Sequence, residues 1–456
     1  MLVHPLTREV DLAIVGAGPA GLLTAREAAR RGLRVLVLEQ RPGPGARPCV
    51  LDVEEAAFAA VQVAPPTGAE QVFAHQGLEV CGPGGDVAFQ LPTNHLLPLH
   101  RGEFVTRLAG LAAAAGASFA WGHEALGVRL QAERCTGLFV RRPDGTLAEQ
   151  PARVVVDASG GAAVLVRRLP GSCGIDFTDR PTDQVLAVTA RYQLPAARVH
   201  QLLDRLELPP RRMRIQLGVQ GSYSTEMTFG DPDRELFYRL RGVKTEQTPP
   251  TPREHLQAGE AALGLGPPAS WGGDAIRIRR ASLQLVTDGL AVVGEAAGMV
   301  LPMHGSGVGT ALRAGASLGV HLAEVLGRGA APTRAALWPW AAAYQRERGA
   351  IFASYDANRR LVERLDPHRG TARLLQGGLL CGDDMMATFR AAPLRLPLAS
   401  LGARGGGLLR EPRLCLTLTP ALARVFLAEG HWRSYPLEPD PARFARWRRI
   451  AEFLLP

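Results

Sequence analysis

The first forty residues alternate between apolar runs and a glycine-rich turn, in a pattern typical of a strand, a turn, a helix and a second strand. Residues 11–15 form a short apolar run that predicts a buried strand, and apolar residues then recur at helical spacing over residues 20–31. Gly32 is expected to end this helix, and the run "RVLVLE" at 34–39 indicates another strand. Because neither strand alternates with polar residues, both are expected in a parallel sheet covered on its two faces.

The turn between these elements has the spacing G-x-G-x-x-G, at Gly16, Gly18 and Gly21. That motif alone is weak evidence, but here it follows a strand, opens a helix and precedes an acid, Glu39, at the end of the next strand. Gly16 permits the tight turn, Gly18 lets backbone N–H groups approach a pyrophosphate, and Gly21 lets the helix pack closely on the strand. The helix N-terminus favours the phosphates, and Glu39 is suited to accept hydrogen bonds from a ribose.

The middle of the chain continues with one helix and several strands. Apolar positions from residue 101 to about 115 share a helical face, whereas 122–130, 135–142 and 146–161 indicate successive strands. Residues 176–275 then change character and hold alternating segments typical of an antiparallel sheet. From Trp338 onward the pattern is mostly helical. We therefore expect a sheet domain inserted into the first domain, followed by a helical region.

Composition and charge exclude several kinds of protein. Hydrophobic residues make up 46% and charged residues 21% of the 456 residues, an ordinary globular balance. The formal charge is +9, and Lys244 is the only lysine among the cationic residues. No basic run carries interleaved aromatic residues, so we do not expect nucleic-acid binding. A cationic surface is compatible with anionic cofactors or an anionic membrane face.

The cysteines and apolar runs bear on the compartment. The six cysteines are scattered without metal-ligand spacing, at Cys49, Cys81, Cys135, Cys173, Cys381 and Cys415. That distribution predicts reduced thiols in a cytoplasm, and no metal site. No apolar run approaches about 20 residues without a charge, and the start of the chain does not resemble a signal peptide. We therefore expect a cytoplasmic protein, with peripheral membrane contact as the alternative.

A second glycine-rich turn, "VVGEAAGMVLPMHGSGVGTA", follows an apolar strand at residues 292–311. Either the two turns serve two ligands, or the chain returns to bind one long ligand at a second point. The second turn resembles the Gly-Asp, six residues, Pro motif of FAD enzymes of the glutathione-reductase-like class, with Gly294, Glu295 and Pro302 at the matching positions. The resemblance implies one FAD bound by both turns, with Glu295 on the ribityl chain and the following helix N-terminus at the pyrimidine edge of the flavin.

Other segments extend this resemblance. The helix near residue 101 is similar to the Arg-x-x-Phe helix of the class, which implies that Arg101 lies beside the cofactor, and "VVVDASGG" places Asp157 at the middle motif. The remaining predicted cofactor-binding residues are Ala20, Gln40, Gly305, Gly307, Val308 and Gly309. The implied fold class is α/β: a Rossmann-type FAD-binding domain with an inserted antiparallel β-sheet substrate domain. Its expected parts are residues 1–175 and 276–335 for FAD, 176–275 for substrate, and a helical C-terminal region at 336–456.

Within this class the chain most resembles the geranylgeranyl-reductase-like family, with flavin-dependent lycopene cyclases next. The loop around Gly298 and the "DASG" segment support this, and Cys49 falls near the position of a flavin-facing cysteine in reductases of the family. Two features depart from the pattern. Glu295 replaces the usual Asp, and the Tyr-x-Trp-x-Phe-Pro segment is absent, with "GSYSTEMTF" at 221–229 in a similar place.

The resemblance implies an FAD-dependent reductase of C=C bonds in a polyprenyl or isoprenoid lipid, with NAD(P)H or a ferredoxin as the electron donor. The alternatives are a carotenoid cyclase of the lycopene type, an aromatic monooxygenase and a non-enzymatic flavoprotein. The candidate catalytic residues are Cys49, His304, Tyr223 and Glu226, each of which also has a plain structural interpretation. For the helix that follows Asp440, packing on the protein body competes with lying on a membrane.

Overall fold

A computed structural model of the chain describes residues 6, 8–45, 50–93, 95–177, 180–221, 223–365, 370–376, 379–394 and 412–456. The strands are β1 (Val10–Val15), β2 (Val35–Glu39), β3 (Val50–Glu54), β4 (Leu78–Cys81), β5 (Val87–Leu91), β6 (Leu96–His100), β7 (Ser118–Trp121), β8 (Glu124–Gln131), β9 (Arg134–Arg141), β10 (Leu147–Asp157), β11 (Gln184–Gln193), β12 (Met213–Leu217), β13 (Ser224–Asp231), β14 (Leu236–Lys244), β15 (Ser270–Arg277), β16 (Val286–Thr287) and β17 (Leu290–Val292). The helices are α1 (Pro19–Ala29), α2 (Glu55–Ala60), α3 (Arg101–Ala114), α4 (Ala196–Arg205), α5 (Pro252–Ala262), α6 (Val308–Gly327), α7 (Arg334–Tyr344), α8 (Ala350–Arg364), α9 (Gly370–Gln376), α10 (Gly382–Phe389), α11 (Pro412–Arg433) and α12 (Pro441–Leu454).

The first sheet is parallel at its centre, as expected for a Rossmann-type fold, and antiparallel at the β16-β17, β9-β10 and β8-β9 pairs. Its strands run in the order β16-β17-β10-β1-β2-β7, and β8 and β9 continue from β10. The central strand β1 pairs in parallel with β10 on one side and β2 on the other, and all six of its residues are buried. Burial on both faces explains why the apolar runs in this part of the sequence show no polar alternation.

Helices α1 and α6 pack closely beside this sheet, and glycines make that approach possible. A Cβ atom on Gly315 of α6 would lie 2.2 Å from the backbone oxygen of Ala20 in α1. One turn later, a Cβ on Gly319 would lie 2.5 Å from the backbone oxygen of Thr24, whose own hydroxyl donates to the Gly315 carbonyl at 3.1 Å. Two glycines therefore hold together segments that are almost three hundred residues apart in the chain.

The second sheet has seven strands in the order β15-β11-β14-β13-β12-β4-β5. Most of it comes from the interval predicted for the inserted domain, and its β11-β14-β13-β12 part is antiparallel as expected. Strands β4 and β5, however, come from residues 78–91, and β12 pairs with β4 in parallel. The sheet is therefore assembled from two distant parts of the chain, and the four-part domain division remains a prediction.

The C-terminal helices pack on the rest of the protein through aromatic side chains. Trp338 of α7 donates a hydrogen bond from its indole nitrogen to the Pro436 carbonyl at 2.9 Å, and Trp447 of α12 packs on Tyr435 and Trp432. Asp440 caps α12 by accepting from the Arg443 amide at 2.6 Å. One face of α12 thus packs on the protein body, while Ile450 and Phe453 on its other face stay exposed.

A buried ionic network links α8 to the start of β11. The Arg359 guanidinium, 0% exposed, donates to Asp356 at 2.7 Å and to Asp183 at 3.0 Å. Burial alone would raise the pKa of Asp356, but the charges of Arg359 and Arg360 hold it well below its usual range. The paired charges tie the helical region to the second sheet. Among the described helices, none is long and apolar enough to cross a membrane.

The close approach of α1 and α6 gives a stability prediction. Gly315→Ala should lower the free energy of unfolding by about 1–3 kcal/mol, because the added methyl overlaps the Ala20 backbone. Gly110→Ala in α3 is the matched control, since Gly110 is exposed and a Cβ there would meet nothing within 4 Å. The control should raise stability by about 0.5–1 kcal/mol, the helix preference of Ala over Gly. Urea unfolding of both variants measures the change in the free energy of unfolding. An increase in stability for both variants would contradict the packing described for α6.

Candidate active site

The first glycine turn is shaped by two kinds of constraint. Gly16 has φ +104°, and a Cβ there would lie 2.5 Å from the Ala158 oxygen, while a Cβ on Gly21 would lie 2.2 Å from the Gly16 oxygen. Packing within the protein therefore requires glycine at both positions. Gly18, directly before α1, differs, because a Cβ there would meet nothing within 4 Å. The open space at this helix N-terminus is suited to an anionic group.

Glu39 stands at the end of β2, beside this turn. Its carboxylate accepts hydrogen bonds from the Ala17 amide at 3.0 Å and the Arg41 amide at 3.1 Å, so it is held in place by the backbone. Gln40, the next residue, is exposed. Arg101, at the first position of α3, is half-buried. The site therefore has a carboxylate, Glu39, beside the glycine turn and a cationic side chain, Arg101, at the start of α3.

The second glycine turn lies directly against the first. Gly294 has φ +71°, and a Cβ there would lie 2.9 Å from the Ala20 Cβ. The next residue, Glu295, accepts at its backbone oxygen a hydrogen bond of 2.9 Å from Arg277, and its carboxylate lies beside Gly161, where a Cβ would be 3.0 Å from Oε1. The two turns, far apart in sequence, therefore form one continuous surface.

The glycines before α6 serve different purposes. Gly305 has φ +74°, and Gly307 is the residue that precedes the first turn of α6, beginning at Val308. At Gly309 a Cβ would overlap the carboxylate of Glu54 at 1.8 Å. Glu54 is 7% exposed, and burial raises its pKa. Packing against Glu54 therefore accounts for the glycine at 309.

Asp157, at the end of β10, is fully buried and satisfied by the protein itself. One carboxylate oxygen accepts from the Ser159 amide at 3.1 Å and hydroxyl at 2.5 Å. The other accepts from the amides of Leu165 and Val166 at 3.0 and 2.9 Å. Asp157 thus fixes the turn that follows β10, and direct contact with a cofactor remains only a prediction.

A cavity of about 630 Å³ starts at the two glycine turns. Among the predicted cofactor-binding residues, its walls include Gly16, Gly18, Ala20, Glu39, Arg101, Gly294, Glu295, Gly305, Gly307 and Val308. Gly21, Gln40, Asp157, Pro302 and Gly309 lie outside its walls. From the turns the cavity passes along one face of the second sheet and ends between C-terminal helices, where leucine, valine and phenylalanine side chains line it. The site is therefore polar at one end and apolar at the other.

Two of the predicted catalytic residues line this cavity, but both use their protons in hydrogen bonds. His304 Nδ1 lies 3.1 Å from the Ser306 amide and Nε2 lies 3.2 Å from the Thr388 oxygen, which fits a neutral ring with its proton on Nε2. Burial lowers the pKa of His304 to about 4. The Tyr223 hydroxyl donates to the Pro302 oxygen, and burial raises the pKa of Tyr223. Both side chains are fixed and poorly placed to release a proton.

The other two predicted catalytic residues have different outcomes. Glu226 does not line the cavity, because it lies on the opposite face of β13, where it pairs with Arg239 and Arg241. The structure thus corrects the expectation that Glu226 lines the substrate pocket, because its strand neighbours Thr225 and Met227 face the cavity and alternate side chains of a strand face opposite ways. Cys49 lies outside the described residues. No group of three or more metal-ligating side chains occurs in the part of the chain that the structure describes.

Three acidic residues in the cavity wall were not predicted, namely Asp52, Asp274 and Asp384. Asp52, in the middle of β3, is half-buried and lines the cavity. Burial, with a smaller contribution from the negative charge of Glu54, raises the pKa of Asp52 to about 6. An acid inside the short apolar run "VLDV" was the available signal, but nothing in the sequence indicates that this acid lies near the second glycine turn.

Comparisons with known proteins give matches both to the start of the chain and to most of its length. A family model described as an NAD(P)-binding Rossmann-like domain matches residues 14–48. Digeranylgeranylglycerophospholipid reductase 1 of Methanopyrus kandleri is 26% identical over 323 residues, covering 70% of this chain and 81% of that protein. The digeranylgeranylglycerophospholipid reductase of Sulfolobus acidocaldarius is 22% identical, covering 98% of this chain and 97% of its own length. The similarity therefore extends well beyond the first glycine turn.

Solved structures share the fold. A geranylgeranyl bacteriochlorophyll reductase-like protein of Thermoplasma acidophilum matches with a TM-score of 0.71 at 18% identity, covering 91% of this chain and 99% of that one. The myxobacterial chondrochloren halogenase, an FAD-dependent halogenase, matches with a TM-score of 0.58 at 16% identity, covering 98% of each chain. The fold and the joined glycine turns define an FAD-dependent oxidoreductase. Within that class, the chain is similar at low identity to the two digeranylgeranylglycerophospholipid reductases and shares the fold of the geranylgeranyl reductase-like structure.

The open space at Gly18 gives a binding prediction. Gly18→Val should fold normally, because a Cβ there meets no protein atom, but it should lower FAD affinity by about a hundredfold, near the upper end of the 1–3 kcal/mol cost of overpacking. Gly327→Val is the control, since a Cβ at that exposed helix position also meets nothing within 4 Å and lies far from the cavity lining. Flavin fluorescence titration of the stripped proteins measures both affinities. Equal affinities for the two variants would rule out a phosphate at Gly18.

Proposed function

We propose that this oxidoreductase reduces C=C bonds in the polyprenyl chain of a lipid, with FAD held at the two glycine turns. The observation that supports this most is the single cavity that leads from the turns to an apolar end between helices. A long, flexible hydrocarbon fits such an end, because apolar walls favour apolar surface at about 25 cal/mol per Å² buried. The names of the two reductase relatives point to the same substrate class.

Each part of the cofactor has a suitable partner in this proposal. Gly18 and the N-terminus of α1 would hold the pyrophosphate, and Glu39 would hold the ribose of the adenosine. Glu295, whose carboxylate lies beside Gly161, would hold the ribityl chain. Arg101 and the N-terminus of α6 at Val308 would hold the flavin ring, because the helix dipole there favours negative charge. When bound and reduced, the flavin supplies the hydride for the reduction.

The apolar end of the cavity holds the substrate tail. Leu361 and Val362 of α8, Leu374 of α9 and Leu422 of α11 contribute to its walls. The Tyr223–Pro302 hydrogen bond fixes the wall nearer the second glycine turn. These side chains orient the polyprenyl chain of the substrate and exclude water from the reacting carbons, while the flavin end of the cavity remains polar.

The alternative activities have weaker support. A lycopene-type cyclase that used the Glu226 carboxylate for proton transfer has little support, because ion pairs with Arg239 and Arg241 hold Glu226 on the far face of the sheet. For an aromatic monooxygenase, the fold shared with the halogenase gives no support by itself, because a shared fold does not assign an activity. For the electron donor, we propose NAD(P)H or a reduced ferredoxin.

The direct test is to incubate the FAD-loaded, dithionite-reduced protein with a geranylgeranylated glycerophospholipid and to measure the molecular mass of the product by mass spectrometry. The proposal expects a gain of two hydrogen atoms for each double bond reduced, with oxidation of an equal number of flavins. Hydroxylated or isomeric products would identify a monooxygenase or a cyclase instead.

We also propose that the protein contacts an anionic membrane surface through α12. Arg443, Arg446, Arg449, Ile450 and Phe453 fall within about 120° of one another around this helix, and all are exposed. Phe426 on α11 lines the cavity and is also 42% exposed, so the apolar end reaches the surface near this helical hairpin. A basic and apolar face at the mouth of the cavity suits a substrate that arrives from a bilayer.

A length-selectivity prediction follows from the cavity. Leu422→Trp should reduce turnover of a C20 polyprenyl lipid by about tenfold or more, because the larger ring fills the apolar end at a cost of about 1–3 kcal/mol. A C10 analogue should be reduced at the parental rate. Leu427→Trp is the control, since Leu427 is 61% exposed and does not line the cavity. Equal loss for both chain lengths, or the same selectivity in the control, would contradict the proposed tail site.

The membrane contact gives a separate prediction. Arg446→Glu with Arg449→Glu should weaken binding to vesicles containing phosphatidylserine by about thirtyfold or more, since each basic residue near such a surface contributes about 1 kcal/mol. Arg205→Glu with Arg328→Glu changes the net charge equally at exposed positions away from α12 and is the control. Vesicle sedimentation measures both. If the two double variants bind alike, the contact is a general charge effect and not a property of α12.

A further inference from the structure

We propose that the Asp52 carboxyl is the proton donor for the C=C reduction, an inference that rests on the function proposed above. The reduction needs a hydride on one carbon and a proton on the other. The residue that gives the proton must line the cavity, face the substrate side and have a proton that no other bond uses. Asp52 is the described residue that meets these conditions together.

The position of Asp52 is fixed from both sides. Strand β3 pairs with β6, with Asp52 opposite Pro98. The backbone oxygen of Asp52 also accepts a hydrogen bond of 2.9 Å from the Ser306 hydroxyl, in the second glycine turn. That turn precedes α6, the helix whose N-terminus we assign to the flavin ring. Asp52 therefore lies in the cavity wall next to the proposed ring site, on a short strand that this hydrogen bond joins to the turn.

The surroundings of the carboxyl favour its protonated form. Among the described residues, none donates a hydrogen bond to the Asp52 carboxyl, which is the interaction that usually stabilises a carboxylate. Glu54, two positions on, adds a like charge, and burial adds a desolvation cost to ionisation. Both effects shift the pKa of Asp52 to about 6, so that a useful fraction of the protein carries the proton near neutral pH. That pKa is suited to general acid catalysis.

The other titratable groups in the cavity wall are engaged elsewhere. His304 and Tyr223 donate hydrogen bonds to backbone carbonyls. The Asp384 carboxylate accepts from the Cys381 amide at 3.1 Å and caps α10. Glu39 and Glu295 are assigned to the cofactor. Asp274 also lines the cavity, but it is exposed at the edge strand β15, and its carboxylate accepts a hydrogen bond from the Ala275 amide at 3.1 Å.

In the proposed C=C reduction, the π bond of the substrate breaks and two C–H bonds form. One carbon receives a hydride from the reduced flavin, which is thereby oxidised by two electrons, and the other receives the proton from an Asp52 carboxyl oxygen. The resulting Asp52 carboxylate regains a proton from water that enters after product release. A nicotinamide donor, or two equivalents of a one-electron iron–sulfur donor, reduces the flavin for the next cycle.

The test compares Asp52→Asn, Asp52→Glu and the control Glu55→Gln in the FAD-loaded protein. Glu55 is the exposed acid that follows Glu54 and does not line the cavity. All three variants should keep the parental FAD affinity and the parental spectrum on dithionite reduction. Asp52→Asn should form product about a hundredfold more slowly than the parent, which is the usual contribution of a positioned general acid. Asp52→Glu should keep part of the parental rate, and Glu55→Gln should keep all of it.

The pH dependence supplies a second readout. Because the acid must be protonated, parental turnover should fall as pH rises through about 6, and this limb should be absent in Asp52→Asn. His304, with its pKa near 4, stays neutral over this window, and buried Glu54 is common to all variants. Independently of activity, carbon-13 NMR of aspartate-labelled protein should show a carboxyl that titrates near pH 6 in the parent and not in Asp52→Asn.

Several outcomes would overturn the proposal. Turnover of Asp52→Asn within about threefold of the parent, with the pH limb unchanged, would remove Asp52 from the step. Loss in Cys49→Ser together with parental turnover in Asp52→Asn would assign the proton to Cys49 instead. If the parent binds FAD yet reduces no polyprenyl bond, the proposed function fails and the proton-donor role fails with it. If the parent is active and no carboxyl titrates near pH 6, only the assignment of Asp52 fails.

Discussion

The contact between α1 and α6 is the constraint on which the rest of the site depends. Gly315 and Gly319 let the two helices approach until a side chain would meet the opposite backbone, and the Thr24 hydroxyl bridges them. Because each helix begins at one glycine turn, this contact places the turns side by side, with Gly294 against Ala20. The cavity for one extended cofactor is a consequence of helix packing, since neither turn alone encloses it.

The features that could be predicted from the sequence are local ones. The turn at Gly16 to Gly21, the strand that ends at Glu39 and the helix after Gly307 each depend on residues close together in the chain. Strand periodicity also separates Glu226 from Thr225 and Met227, which line the cavity from the other face of β13. The pairing of β4 with β12 could not be predicted, because short strands carry no signal that names a distant partner.

Asp52 illustrates the same limit at the candidate site. An acid within an apolar strand is visible in the sequence, but its meaning depends on Ser306 and on the burial that the folded chain provides. Glu54 and Gly309 form a similar pair, since the glycine that resembled a cofactor contact is explained by a carboxylate more than two hundred residues earlier. The functional interpretation therefore changed most where two distant segments meet, and least where one segment acts alone.

One cavity joins a polar cofactor site to an apolar site for the lipid tail, and the proposed proton donor lies between them. In this interpretation one FAD spans both glycine turns. A crystal structure of the protein grown with FAD tests this most directly. The account predicts the diphosphate at Gly18, the ribityl chain at Glu295 and the flavin ring beside Val308. A dinucleotide that contacts only the first turn, with its second base directed away from residues 294–308, would contradict it.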